Sequence, residues 1–376
     1  MKLKFSQYHT YHMNCSKFIV LTDGEPDDLI ALLILYKSLH IICKINKSVN
    51  LLIGTSVRNA KGTKELIVEF IKRLQIMWPN ENIHIIIASG TSGIRNPHID
   101  LSTKYIQSKS QVKDKSNEPN ELENAIKTWF ASDCDKSNGD KSILFLLCVP
   151  LDTIYINWKQ IEHVYMWGGT GPIDENTNAM TYSFNWRISW PHTIAFLKEI
   201  EINKVPLTLC GPSIYSNCKQ LAKTIYVGTC PNLINWISTK DNPVSEMIND
   251  WMSEWANFCT SSNKTTLPDR LKTQRGLSKD EFLDMSKQVT PADPIAILLY
   301  LEPNIIKDYV NVNVNVNVNV NVNVNVNVNV NVNATITGNK PEIDVKIITN
   351  YESTTRMVTN LDENLIFELI DNIISN

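Results

Sequence analysis

Phe18-Ile-Val-Leu-Thr-Asp23-Gly-Glu-Pro-Asp27-Asp28, running straight into Leu29-Ile-Ala-Leu-Leu-Ile-Leu-Tyr36, decides the fold class. The apolar run that opens it has the length of a buried strand and stops at polar residues. Pro26 suits a first helical turn, and Asp27 and Asp28 are favoured there because the helix dipole stabilises negative charge. The stretch therefore reads as strand, tight loop and buried helix.

The same rhythm continues outward. A strand over Asn50–Val57 precedes a helix from Lys61 to Leu74, and a third strand covers Asn82–Ala88. Residues 100–120 are polar and read as a surface loop before a helix over 121–131. Strands are expected at Ser142–Val149, Glu162–Trp167 and Val205–Cys210, with a polar loop over 170–180 and a helix over Pro191–Glu199. Further helices are expected over 243–259 and Asp293–Tyr300, then a strand at Glu342–Thr349 and a terminal helix over Asn364–Ser375. Strands alternating with helices give an α/β fold: an open, mostly parallel, Rossmann-like sheet with helices on both faces.

Composition narrows the function classes. Lys and Arg number 36 against 39 Asp and Glu, a net charge of −3, which argues for no nucleic acid partner, since such proteins usually carry a basic surplus. Cysteines at 15, 43, 134, 148, 210, 218, 230 and 259 form no CxxC pair, so they read as reduced thiols rather than a zinc ribbon or a disulfide framework. No apolar run approaches the roughly 20 residues of a membrane span, and the start shows no signal peptide. The expectation is a cytoplasmic protein with no membrane partner.

From Val310 to Asn333 the chain repeats Val-Asn twelve times. As a single strand it would reach roughly 80 Å at about 3.3 Å per residue, too long for a domain of this size. It reads as a low-complexity insertion, disordered or loosely β. The competing reading is a β-type association surface, since Val favours strands and Asn forms ladders.

Chemistry concentrates at the first strand's end. Asp23, Asp27 and Asp28 fall within six residues, where open α/β sheets bind their ligands. Like charges about 4 Å apart repel by roughly 4 kcal/mol at an effective dielectric of 20, so a hard divalent cation with oxygen ligands is the natural compensation. The competing reading makes Asp27 and Asp28 mere partners of the helix dipole. Asp293 opens another buried helix, in Thr290-Pro-Ala292-Asp293-Pro-Ile-Ala; it reads as an N-terminal cap alone, or as a further ligand together with the first cluster.

With these residues in place, the chain resembles the inosine-uridine-preferring nucleoside hydrolase family. That family's D-x-D-x-G-x-D-D stretch is similar to Leu21-Thr-Asp23-Gly-Glu25-Pro-Asp27-Asp28. Ser56-Val-Arg-Asn59 resembles the segment whose Asn contacts ribose. Cys148-Val-Pro-Leu-Asp-Thr-Ile resembles T-G-P-L-T-N-I, Met166-Trp-Gly-Gly169 resembles M-G-G, Ser183-Phe-Asn185 resembles E-F-N, and Pro291-Ala-Asp293-Pro-Ile-Ala resembles H-D-P-x-A. The resemblance implies one nucleoside-hydrolase-like domain over 17–376, preceded by a tail over 1–16 and interrupted at 310–333.

It also implies the reaction, Ca2+-dependent hydrolysis of a ribonucleoside to ribose and base. On this reading Asp23, Asp28, Asp293 and the backbone carbonyl of Cys148 hold calcium. Asp23 serves as general base, and Asp27 joins it among the catalytic residues. Asp27, Asn59, Asn176, Asn178 and Asn185 hold the ribosyl group, with Trp167 beside the base. The partner is a nucleoside or another ribosyl small molecule, and a homodimer and a homotetramer both remain open.

The chain departs from the family pattern at several points. Leu21 replaces the first Asp, Glu25 a Gly, Ser183 the Glu of E-F-N and Trp167 the Met of M-G-G. Ala292 stands where many members carry the His that protonates the leaving base, which leaves Trp167, Trp186, Trp190 and Trp255 as stacking candidates and His98 as a candidate acid. These departures support a second reading, a catalytically impaired or repurposed ribosyl- and metal-binding protein of the same fold.

Overall fold

The computed structural model describes residues 15–43, 48–57, 59–92, 120–131, 141–174, 179–218, 221, 231–261, 292–317, 342–347 and 353–375. The strands are β1 (Lys17–Thr22), β2 (Val49–Thr55), β3 (Ile83–Ser89), β4 (Ser142–Leu146), β5 (Ile161–Trp167), β6 (Thr170–Asp174), β7 (Ala179–Tyr182), β8 (Leu207–Cys210), β9 (Ile306–Asn317), β10 (Glu342–Ile347) and β11 (Thr355–Leu361). The α-helices are α1 (Pro26–Cys43), α2 (Ala60–Met77), α3 (Glu121–Ala131), α4 (Phe184–Arg187), α5 (Trp190–Asn203), α6 (Pro231–Thr239), α7 (Pro243–Ser261), α8 (Ala292–Leu301) and α9 (Glu363–Ser375).

Nine strands form one sheet in the order β10-β9-β11-β8-β5-β4-β1-β2-β3. Every pairing from β11 to β3 is parallel. β9 runs antiparallel to both β11 and β10. The expected open, mostly parallel sheet is thus the one observed. From β1 the chain moves to β2 and β3 on one side, and then crosses to β4, β5 and β8 on the other. The order reverses between β1 and β4, and at such a switch point the crossovers leave a crevice at the strands' carboxyl ends.

Alternation along β1 divides the core. Phe18 and Val20 face one layer, with α1, α2, α7, α8 and α9; Ile19 and Leu21 face the other, with α3 and α5. α1 is buried all round from Leu29 to Leu39, because α8 packs beside it against β4 and β5 while α2, α7 and α9 cover it as well. This accounts for its apolar run from Leu29 to Tyr36, which would be unstable on a surface helix. Among the described residues no helix is long and apolar enough to cross a membrane. The described cysteines at 15, 43, 148, 210 and 218 are free thiols.

Several elements depart from the sequence expectation, the short α4 among them. The polar segment near 170–180 contains the β6–β7 hairpin, α6 was unanticipated, and Thr355–Leu361 is a strand between β8 and β9. β11 reads Thr-Arg-Met-Val-Thr-Asn-Leu, with no clean alternation; its neighbours on both sides make it a strand, which is tertiary context overriding a weak local pattern.

The Val-Asn tract is partly built into the sheet. Its first eight residues, Val310–Asn317, belong to β9. Val310 pairs with Met357 of β11, Val312 is buried, and both valines pack with the second core layer. The remainder, 318–333, lies outside the described residues, as do the expected strand residues 348 and 349.

Candidate functional site

The loop joining β1 to α1 is built by its own polar groups. The Thr22 hydroxyl donates to Asp28 Oδ1 and accepts the Gly24 N–H at 3.1 Å. Asp28 Oδ2 accepts the Glu25 N–H at 2.9 Å, so Asp28 also caps the helix start, as an acidic third-position residue does. Gly24 has φ +75°, a left-handed conformation, and a Cβ there would lie 2.5 Å from Cγ2 of Thr63. Only glycine lets the loop lie this close to the first turn of α2.

Asp293 reaches the same place from the start of α8. One carboxylate oxygen each from Asp27, Asp28 and Asp293 lies within 4.8 Å of the others. Asp28 and Asp293 are buried and Asp27 is partly exposed. Asp23 is buried beside them, and its charge acts on all three. Four carboxyl groups thus gather at the switch point.

Their protonation reflects the crowding. Burial, then the Asp23 charge, pushes Asp27 up to about 7. Burial first, then neighbouring carboxylates, pushes Asp28 and Asp293 well above the usual carboxylate range. Without a cation the cluster must hold protons, since buried like charges cannot all ionise. A buried set of hard oxygen donors with excess negative charge fits a hard divalent ion.

The other expected residues surround this cluster. Ser56 follows β2; its N–H donates to the Thr22 carbonyl at 3.0 Å and its hydroxyl lies 3.5 Å from Cys148 Sγ. That contact joins the ends of β1, β2 and β4. Cys148 is fully buried, and burial followed by the Asp23 charge raises its thiol well above the ordinary value. Asn59 is fully buried and caps α2, its Oδ1 accepting the Gly62 N–H at 3.0 Å. Asn185 Nδ2 donates to the carbonyls of Leu147 and Trp167, each at 3.2 Å, tying the ends of β4 and β5 together. Ser183 is buried, and among the described residues its hydroxyl has no hydrogen-bond partner.

The tryptophans divide. Trp167 ends β5 half-buried against the first core layer. Trp186 is wholly buried in the second layer, over Gly168, where a Cβ would lie 2.7 Å from its Nε1; it is a core residue, and it explains the first glycine of the Met166-Trp-Gly-Gly169 motif. Trp190 packs partly buried against the same layer. Ala292 is the buried first residue of α8. Asn176, Asn178, His98 and the Trp255 side chain lie outside the described residues.

Sequence reasoning missed Thr22, whose hydroxyl holds Asp28, and Val57. Val57 has φ +80°, costly for a β-branched residue and a mark of a functional or strained segment. A Thr directly before Asp23 was a readable signal; a backbone angle had none.

No protein-family model matches the sequence, and no curated protein matches it. Solved structures do match in fold. A purine-preferring ribonucleoside hydrolase from Gardnerella vaginalis is similar with a TM-score of 0.56 at 12% identity, over 96% of this chain and 98% of that one. An inosine-guanosine nucleoside hydrolase gives 0.52 at 14% identity, over 96% and 98%. The type III effector protein XopQ, solved with adenosine diphosphate ribose, gives 0.54 at 10% identity, over 96% and 91%. At these identities the likeness establishes a nucleoside-hydrolase-like fold.

Proposed function

We propose that the protein is a Ca2+-dependent nucleoside N-ribohydrolase, splitting the N-glycosidic bond of a ribonucleoside into ribose and free base. The observation that carries this reading is the convergence of Asp27, Asp28 and Asp293, with Asp23 beside them, at the sheet's switch point. Asp23, Asp28, Asp293 and the Cys148 carbonyl would hold the ion, which when bound lowers the pKa of water and supplies charge at the reacting centre. Asp23 takes the proton of the attacking water as general base. Asp27, Asn59 and Asn185 hold the ribosyl hydroxyls, and Trp167 borders the base. Positive charge building on the ribose ring is stabilised by the surrounding carboxylates. A panel of common nucleosides assayed for reducing sugar with calcium present tests the proposal; no turnover on any of them, with metal bound, would sink it.

A second reading is ribosyl binding without hydrolysis. It draws on Ala292, which cannot protonate a leaving base, and on the neighbour solved with adenosine diphosphate ribose. Calorimetry showing calcium and ribose binding, alongside an inactive panel, would favour it.

A further inference from the structure

A second buried carboxylate stands outside the acidic cluster. Asp152, in the turn after β4, is fully buried. Its oxygens accept the Thr91 N–H at 3.0 and 3.2 Å, the Thr91 hydroxyl at 2.6 Å and the Asn120 amide at 3.1 Å. A Cβ on residue 90 would lie 2.3 Å from Asp152 Oδ2, so the arrangement requires Gly90. The segment gripped in this way in turn holds the end of β2. Gly90 N–H donates to the Thr55 carbonyl at 2.8 Å, and the Thr91 carbonyl accepts the Val57 N–H at 2.8 Å. The Ser92 hydroxyl accepts the Ala60 N–H at 2.9 Å. Asn59 lies between these two anchored amides, two residues after Val57, whose φ is +80°. A left-handed valine persists only where its surroundings over-determine it.

We infer that Asp152 is a positioning residue: through Thr91 and Ser92 it fixes the amides of Val57 and Ala60 and so holds in place Asn59, the residue assigned above to the ribosyl ligand. The ligand part of this inference rests on the function proposed above; the structural part does not. The test is amide hydrogen exchange on the full-length protein, comparing wild type, D152A, D152N and T91A, with nucleoside kinetics alongside. In D152A the protection of the Val57 and Ala60 amides should fall by about tenfold or more, the effect of losing a charged hydrogen-bond acceptor, while Val20 in β1 stays protected. D152N, which keeps one acceptor oxygen, should fall between D152A and wild type, and it carries the test if D152A does not fold. T91A loses the hydroxyl donor and keeps the main-chain N–H to Asp152, so it should lose part of the protection and fall between D152A and wild type. Where turnover is measurable, KM should rise about tenfold in D152A with kcat nearly unchanged, the pattern of lost substrate binding. Unchanged exchange at Val57 and Ala60 in a folded Asp152 variant would overturn the inference. A wild type that turns over no nucleoside would defeat the functional reading, and the exchange data would still decide the role of Asp152.

Discussion

Asp28 uses one oxygen for the Thr22 hydroxyl and the other for the Glu25 N–H, so it is at once a helix cap and a member of the acidic cluster. The two readings that the sequence set against each other, dipole partner and ligand, are compatible. Asp293 bears less of this structural duty, and substituting it separates stability from binding. Asp293→Asn removes a carboxylate that faces Asp27, Asp28 and Asp23, and relieving that repulsion should stabilise the metal-free protein by about 1 kcal/mol or more. It should also weaken calcium binding at least tenfold. Thermal melts with chelator and with calcium check both signs; a variant less stable than wild type in chelator would contradict the account. Asp23→Ala should lower kcat by about 10²–10⁴-fold, the usual contribution of a general base, with unchanged circular dichroism.

The β9 strand gives the Val-Asn tract a defined job. Four of its twelve units lie in β9, and the antiparallel pairing sets Asn317 opposite Glu342. Removing any one Val-Asn unit produces the same sequence as removing any other, and the period of two keeps valine on the buried side. The strand therefore survives such deletions while the connection shortens. Trimming from twelve units to four would still leave residues 334–341 to close the hairpin, more than the few residues such turns need. Melting temperature should stay level down to four units and drop below that. A steady fall from the first deletion would show that the units beyond 317 also hold the fold. Val312→Asn puts an amide into the buried layer that Val312 occupies and should cost about 2 kcal/mol. The boundary between strand and insertion was not legible from a perfect repeat, because every unit looks alike; pairing with β11 and β10 draws it. β1 and α1 were legible because burial is written in their apolar runs and the loop between them in Asp23, Gly24 and Pro26. Asn59 was legible as a position, though its capping of Gly62 appears only in three dimensions. Asp152 is legible in the sequence only as a member of the Cys148-Val-Pro-Leu-Asp-Thr-Ile motif, since its partners Thr91 and Asn120 are 61 and 32 residues away.

The sheet brings segments from both ends of the chain to one crevice: Asp23, Asp27 and Asp28 follow its first strand and Asp293 begins α8, the helix leading to β9. A site assembled this way couples metal binding to the stability of the whole fold. In the unfolded chain these carboxyl groups titrate near 3.8, whereas burial and then Asp23 raise Asp27 to about 7, and Asp28 and Asp293 are raised as well. Between those limits the folded, metal-free protein binds more protons than the unfolded chain, so its stability is greatest at the acid end and declines as pH rises through about 4 to 7. Calcium competes with the same protons and should do the opposite, stabilising more as pH rises. At a hundredfold excess over Kd the gain is about 2.7 kcal/mol. Melts at about pH 5 and about pH 7.5, each with chelator and with calcium, should show a small calcium shift at the lower pH and a large one at the higher. The chelator-treated protein should melt higher at the lower pH. Calcium shifts of equal size at both would mean that the ion, if it binds, does not displace these protons, and the acidic cluster would lose its assignment as the metal site.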